Sequence, residues 1–313
     1  MFLPFLNLRI EIHVRQKRLE CVLENIILSL EQSRSKSTID NYRTALRSFI
    51  KYAGCNVRLR DVNAHLMEGY QRWLHGHGVC MNTSSCYMRS LRKMLNEAGL
   101  MDCNDCFKNI FTGNAKTDKR AVTQEDVCTL RDVPLLVKPH LRMTRDMFLF
   151  SFYAMGMPFV DLAFLCKSQV KDGYIVYARH KTGQTIRVKI EKPMQDIINM
   201  YTREDSPYLF PILTQTEPTA AMREYESQRH RYNRNLKTLA AMTSLHNLTS
   251  YVVRHSWASI VRDLGANVSV ISKALGHNDI KTTQIYLNEV NDQRVYDANA
   301  TVISKIISLK LGG

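Results

Sequence analysis

The last hundred residues contain an ordered series of side chains whose types suit chemistry on a phosphate group. Arg254 and His255 stand in the segment LTSYVVRHSWAS, His277 ends the triplet LGH, and Tyr286 ends the segment TTQIY. An arginine presents a planar fork of donors that can hold two phosphate oxygens, and it stays charged. A histidine can donate a further hydrogen bond, and a tyrosine hydroxyl can act as a nucleophile. Each residue alone is commonplace, because a lone tyrosine beside aliphatic residues is usually a core aromatic. The order and spacing of these residues, more than any one of them, indicate a site that acts on a phosphate group.

Two further motifs extend this pattern upstream. Lys181 lies in the segment HKTG, and Gly156 opens the segment GMPFVDLAFL. Together these motifs resemble the tyrosine recombinase (phage integrase) family, and the resemblance covers nearly the whole chain. The segments FVDLAFL and LTSYVVRHSWA are most similar to integrases of mobile elements in anaerobic gut bacteria.

The resemblance implies a site-specific DNA recombinase or integrase that cleaves and rejoins duplex DNA through a 3′-phosphotyrosine intermediate. Tyr286 would be the nucleophile, and the covalent bond would store the energy of the phosphodiester. Arg254 would clamp the phosphate, His277 would donate to a phosphate oxygen, and Lys181 on a hairpin tip would be the general acid. The resemblance implies no metal, cofactor or small-molecule substrate. It predicts double-stranded DNA as the partner and self-association into a tetramer on paired DNA sites.

One departure from the family pattern lies three residues before Arg254. The family motif reads His-x-x-Arg, and Tyr251 stands where that histidine would be. A tyrosine can still donate a hydrogen bond to phosphate, but it cannot serve as a cation. Its role is open between a phosphate contact and a packing aromatic, and we expect His255 to pack or cap.

A larger departure concerns the first arginine of the family, which stands just before the glycine corresponding to Gly156 or two residues after it. Here Met155 and Pro158 occupy those places. Arg142 and Arg145 lie upstream on the same predicted helix, roughly 15 Å away at about 1.5 Å per residue, and one of them could compensate. Without compensation we expect weakened activity, since removing a comparable donor often costs about 10²–10³ in rate.

Two alternative functions stay open at this stage. The missing arginine is the evidence for a DNA-binding accessory factor whose catalysis is impaired. A relaxase resembling type IB topoisomerases would share the nucleophile but act on one duplex without a partner site.

The composition agrees with a polyanionic partner. The 313 residues include 43 Lys and Arg against 29 Asp and Glu, a formal net charge of +14. Hydrophobic residues make up 45% of the chain, which argues against a disordered basic tail. A basic helical module and a basic linker suggest a clamp around duplex DNA. The segment from Arg223 to Lys237 is the densest basic helix, and its charges either line the DNA or face solvent.

Membrane, secretory and disulfide-rich classes are disfavoured. No stretch approaches the roughly 18 apolar residues of a membrane helix. The apolar start of the chain lacks a signal-peptide cleavage site, so we expect a cytoplasmic protein. Eight cysteines are too dilute for a disulfide scaffold. Cys103 and Cys106 form the one CxxC pair, and without a second pair of ligands we favour structural thiols over a zinc or redox site.

The elements that must position these residues form a mainly α fold with a small antiparallel β-sheet. Residues 1–112 are predicted to form a helical, SAM-like core-binding domain, with helices from about Lys17 to Leu30, from a cap at Ser37 or Thr38 to Gly54, from Val62 to Leu74 and from Thr83 to Ala98. Residues 113–122 are polar and basic and are predicted to be a linker. Residues 123–313 form the predicted mixed α/β catalytic domain.

The catalytic domain is predicted to start at a helix with a capping box of Thr123 and Asp126. Alternation predicts two strands over Tyr174–Ile190 around a turn at Lys181–Gly183, with a further turn at Asp172 and Gly173. The rest of the domain is predicted to be helical. The apolar tail after Tyr286 either docks on a neighbouring protomer, as the resemblance implies, or packs on its own domain.

Overall fold

The computed structural model describes residues 16–99, 103–116, 121–135, 138–245 and 248–276. The chain divides into two compact units between residues 118 and 119. Each unit has a hydrophobic core of its own. The domain limits 1–112 and 123–313 stay predictions.

The first unit is helical throughout the residues described. Its helices are α1 Leu19–Leu30, α2 Lys36–Ala53, α3 Ala64–Gly76, α4 Met81–Glu97 and the short α5 Cys103–Cys106, with a 3₁₀ turn at Leu59–Asp61. Phe49 and Tyr70 meet edge to face in its core, with ring centroids 5.0 Å apart. The helical spacing of apolar residues therefore correctly predicted that this unit is helical. Each helix buries its row of apolar side chains against the neighbouring helices.

The helix starts in this unit differ from the prediction by one to three residues. The cap of α2 is Ser35 rather than Ser37 or Thr38, because the backbone N–H of Thr38 donates to the side chain of Ser35. Asn63 caps α3 by accepting from the N–H of Leu66. A capping side chain must lie just before the first helical residue, and with three hydroxyl residues among positions 35–38 the sequence alone does not select one.

The second unit combines helices with one small sheet. Its elements are α6 Gln124–Asp132, α7 Pro139–Tyr153, α8 Phe159–Ala163, β1 Val170–Lys171, β2 Tyr174–Ala178, β3 Thr185–Lys189, α9 Lys192–Tyr201, α10 Pro218–Met242, α11 Val252–Asp263 and α12 Val268–Leu275. The middle helix is α7, which packs against α6, α9, α10 and α11. The functional segments therefore surround one buried helix.

The sheet is antiparallel in the order β1-β2-β3, as predicted. Ile175 pairs with Val188 and Tyr177 pairs with Ile186, and all four side chains are buried. The alternating residues on the other face are exposed or half-buried. The period of two in the sequence fixes this register, because a slip by one residue would turn the apolar face to solvent.

The entry of the chain into the second unit is fixed by two side chains. Thr123 and Asp126 form the predicted capping box of α6. One residue earlier, the N–H of Val122 donates to Oγ of Ser256 at 2.9 Å. Ser256 is buried in α11 and donates in turn to the carbonyl of Val252 at 2.9 Å. The segment that leads into α6 is therefore bonded to α11.

The longest helix described is α10, with 25 residues. Neither α10 nor any other helix in the described ranges is long and apolar enough to cross a membrane.

Because each unit has its own core, we expect deletion of residues 1–112 to leave a folded second unit. The fragment should unfold cooperatively in urea and keep its far-ultraviolet circular dichroism. A fragment without a cooperative transition would place the boundary elsewhere.

Candidate active site

Arg254 lies in the first turn of α11 and is 5% exposed. Its Nη1 donates to the carbonyl of Gly156 at 3.4 Å, and its Nη2 donates to the carbonyl of Leu275. The guanidinium thus joins three segments of the chain, because Gly156 lies 98 residues before Arg254 and Leu275 lies 21 residues after it. Backbone oxygens hold the fork of donors, which is the group that could bind a phosphate.

Gly156 packs directly against the backbone of Arg254. Its φ is +70°, and a Cβ added there would lie 2.9 Å from the Cα of Arg254. A side chain would therefore meet α11 and would also be strained in the left-handed region. Only glycine lets the segment after α7 approach the arginine so closely.

The two positions where the family has its first arginine have structural roles here. Met155 is half-buried and packs against the core, with a φ of +59°. Pro158 precedes the first residue of α8. A non-glycine residue with positive φ is uncommon, and such residues are held in place by their surroundings.

Arg142 and Arg145 are the two arginines that could replace the missing first arginine of the family. Of these, Arg145 is held by other partners. It forms a salt bridge with buried Asp146 at 2.9 Å and donates to the carbonyls of Arg131 and Val133. A buried pair of this kind breaks only at a large cost. Arg142 is exposed in the first turns of α7, whereas Met155 follows the end of that helix. The helix therefore separates both arginines from Gly156.

Lys181 is exposed on the turn between β2 and β3, as a residue at a hairpin tip must be. The turn is closed by the N–H of Gly183, which donates to the carbonyl of Arg179 at 2.8 Å. Its base is fixed by Asp161 of α8, whose Oδ1 accepts from the N–H of His180 at 2.9 Å. His180, the residue before Lys181, is thus hydrogen-bonded to the segment that begins at Gly156.

Tyr251 is 59% exposed at the start of α11, so it is not a core aromatic. Its ring meets the ring of His255 in a T-shaped contact with centroids 4.5 Å apart. His255 thus packs against an aromatic ring, in line with the expectation for it.

Another tyrosine lies beneath the site. Burial raises the pKa of Tyr177, Asp161 raises it further, and Arg254 and Arg179 lower it. The net shift is upward, so the hydroxyl stays protonated at neutral pH and is a poor nucleophile.

The helix α10 presents its basic residues to solvent. Six of them are exposed: Arg223, Arg229, His230, Arg231, Arg234 and Lys237. Its other side is buried through Tyr232 and Leu236. The charges therefore form an accessible basic face, the arrangement that attracts a phosphate backbone.

The predictions for His277 and Tyr286 lie outside the described residues, as does the apolar tail after Tyr286. Among the residues described, no group of three or more His, Cys, Asp and Glu side chains could hold a metal ion.

Two models of known families match the chain. A model of the phage integrase SAM-like domain matches residues 21–106, and a model of the phage integrase family matches residues 127–293. The second match alone covers more than half of the chain. The chain belongs to the phage integrase family.

Relatives in this family align along most of their length. The tyrosine recombinase XerD of Rhizobium meliloti is 27% identical over 300 residues, covering 87% of this chain and 90% of the relative. The XerH site-specific recombinase, solved as a post-cleavage complex with palindromic difH substrate, matches with a TM-score of 0.67 at 15% identity, covering 90% of this chain and 84% of that one. A lambda integrase tetramer bound to a Holliday junction matches with a TM-score of 0.66 at 13% identity, covering 90% and 80%. These similarities confirm the predicted fold class.

Sequence reasoning missed two buried charged residues of this integrase-family site. Arg179 is 7% exposed, and Asp161 is buried beside it, with Arg179 Nε and Asp161 Oδ2 3.7 Å apart. The available signal was a carboxylate inside the apolar segment FVDLAFL, because a buried acid needs a partner.

We expect Gly156→Ala to destabilise the protein by about 1–3 kcal/mol through crowding, in addition to the backbone cost of positive φ. Gly173→Ala is the matched control, because Gly173 has a φ of +76° and nothing within 4 Å of an added Cβ. Urea unfolding of both variants measures the difference. Equal losses of unfolding free energy in the two variants would mean that Gly156 does not pack tightly against Arg254.

Proposed function

We propose that this protein is a site-specific recombinase that cuts and rejoins duplex DNA through Tyr286. The observation that carries the proposal is a buried arginine, Arg254, held at a helix start by Gly156 and Leu275, in a chain whose two domains match integrase family models. The solved relatives bind DNA, by their own descriptions. An exposed basic helix on this chain suits the same partner.

In the proposed reaction the Tyr286 hydroxyl gives its proton to solvent, and its oxygen attacks the scissile phosphorus. The bond from phosphorus to the 5′ oxygen breaks, and Lys181 gives that oxygen a proton. Arg254 and His277 donate to the nonbridging oxygens, whose charge grows in the transition state. A 5′-hydroxyl from a partner duplex then gives its proton to Lys181 and attacks the phosphotyrosine. The bond from phosphorus to the Tyr286 oxygen breaks and that oxygen takes a proton back from solvent, so no external energy source is required.

The exposure of Lys181 at a hairpin tip supports its role, because a general acid must reach the leaving oxygen inside a DNA groove. The exposure of Tyr251 supports a phosphate contact over a packing role. Exchange between two duplexes needs several active sites, which supports assembly of four protomers on paired sites, the state of the lambda integrase relative. DNA as the substrate favours the cytoplasm as the place of action.

We expect Tyr286→Phe to abolish covalent attachment to a nicked suicide duplex while DNA affinity stays within a few-fold, because only one hydroxyl is lost. Tyr174→Phe removes a hydroxyl from β2 and should leave the adduct intact. Adduct formation is measured by denaturing gel electrophoresis. An adduct with the Phe variant would assign the nucleophile to another residue.

The same substrate separates the alternatives. An accessory factor would bind the duplex without an adduct in the unchanged protein. A relaxase would form the adduct but would not join two duplexes. The relatives reported above favour neither alternative.

We expect Met155→Arg to raise the single-turnover cleavage rate by about 10-fold or more, because a guanidinium there adds a charge-assisted donor. The left-handed backbone at Met155 costs an arginine no more than a methionine. Met155→Gln has a similar length without the charge and should give no gain. If Met155→Arg gives no gain and Arg142→Ala loses cleavage, then Arg142 supplies the missing donor.

A further inference from the structure

Arg179 stands at the end of β2 and reaches the C-terminal end of α12. Its Nη1 donates to the carbonyls of Leu275 and Gly276, at 2.9 and 3.1 Å. These are the last helical residue and the capping residue of α12. The C-terminal carbonyls of a helix have no partner inside the helix, so a guanidinium there both satisfies them and complements the helix dipole.

The same carbonyl of Leu275 also accepts from Nη2 of Arg254. Two guanidinium nitrogens that share one acceptor lie within about 6 Å of each other, twice the length of a hydrogen bond. Arg179 comes from the sheet and Arg254 from α11. The end of α12 is therefore held between the two arginines.

Asp161 allows Arg179 to stay charged while buried. The carboxylate of Asp161 is itself buried, and it lies 3.7 Å from Nε of Arg179. Burial of an isolated charge is costly, whereas a paired charge with further hydrogen bonds is tolerated. Because Asp161 also binds the N–H of His180, the pair has a fixed place at the base of the hairpin.

The packing around Gly276 is equally close. Gly276 adopts a left-handed conformation with φ +60°, and an added Cβ would lie 2.6 Å from Cδ1 of Ile186 and 3.0 Å from Cδ of Arg179. The chain thus leaves α12 in a direction set by β3 and by Arg179. The next residue in the sequence is His277.

We infer that Arg179 is a positioning residue for the active site, acting through His277. It fixes the position and backbone direction of Gly276, the residue that precedes His277 in the sequence, and it keeps Gly276 at a set distance from Arg254. The inference rests on the proposed function, in which His277 donates to the scissile phosphate. Arg179 touches backbone carbonyls, so its contribution to the reaction is indirect.

The first test is single-turnover cleavage by Arg179→Met, which keeps an unbranched apolar side chain and removes the guanidinium donors. We expect cleavage to fall about 10- to 100-fold, the usual effect of losing hydrogen bonds from a charged group. The dissociation constant for DNA should stay within a few-fold. Arg187→Met is the matched control: Arg187 is an exposed arginine on the same hairpin, stacked on Tyr174, and its loss should leave cleavage unchanged.

A double-mutant cycle distinguishes positioning from a general loss of structure. If Arg179 acts through His277, Arg179→Met should cost little cleavage in a His277→Gln background. Multiplicative losses would overturn the inference. Arg179→Lys keeps the charge beside Asp161 and should recover part of the rate, which covers the case in which the methionine variant folds poorly.

Hydrogen exchange provides a readout that needs no catalysis. Amides in residues 268–280 should exchange faster in Arg179→Met than in the unchanged protein, and Arg187→Met should show no change there. Unchanged exchange in Arg179→Met would overturn the inference even if cleavage fell. If the protein without any substitution forms no covalent adduct with DNA, the proposed function is refuted. Hydrogen exchange in Arg179→Met would still decide whether Arg179 holds the end of α12.

Discussion

The close approach of Gly156 to Arg254 is the contact on which the second unit depends. The buried guanidinium needs acceptors, and the segment after α7 supplies one of them only because a glycine stands there. The same approach brings the segment that leads into α8 against the first turn of α11. Asp161 on α8 can then reach the hairpin that carries Lys181. A side chain at position 156 would separate these elements.

The site is built mainly from backbone carbonyls and a few buried charges. Two arginines meet at the end of α12, and one carboxylate lies beside them. Arginine suits this role because it stays charged at any physiological pH and its planar fork can bind several oxygens at fixed angles. A lysine would bind these oxygens through a single ammonium nitrogen, which fixes the angle between the partners less well. The arrangement is thus held by contacts within the protein itself.

Local patterns in the sequence predicted the local structure well. The alternation in Ile175, Tyr177, Ile186 and Val188 predicted the two strands and the face that they bury, because successive side chains of a strand point to opposite faces. Thr123 and Asp126 gave the start of α6, because a capping box needs only residues three apart. The family motifs gave Arg254 and Lys181, and the structure places both on the elements that those motifs imply.

Long-range partners could not be predicted in this way. Arg179 is buried because Asp161 and Leu275 meet it, and these lie 18 residues before it and 96 residues after it in the chain. The sequence offered Arg145 as a replacement for the missing arginine. Its guanidinium is instead held by a salt bridge with Asp146 and by hydrogen bonds to two distant carbonyls. The left-handed backbone at Met155 has no signature in residue type. Each of these facts depends on packing between elements, which residue spacing does not encode.

The bond between Val122 and Ser256 has a mechanical consequence. Ser256 lies two residues beyond Arg254 on the same helix, and it bonds both to the entering chain and to the carbonyl of Val252. A load applied to the chain ahead of Val122 is therefore carried straight into the first turn of α11. The position of Val122 and the placement of the buried Arg254 are therefore linked through Ser256.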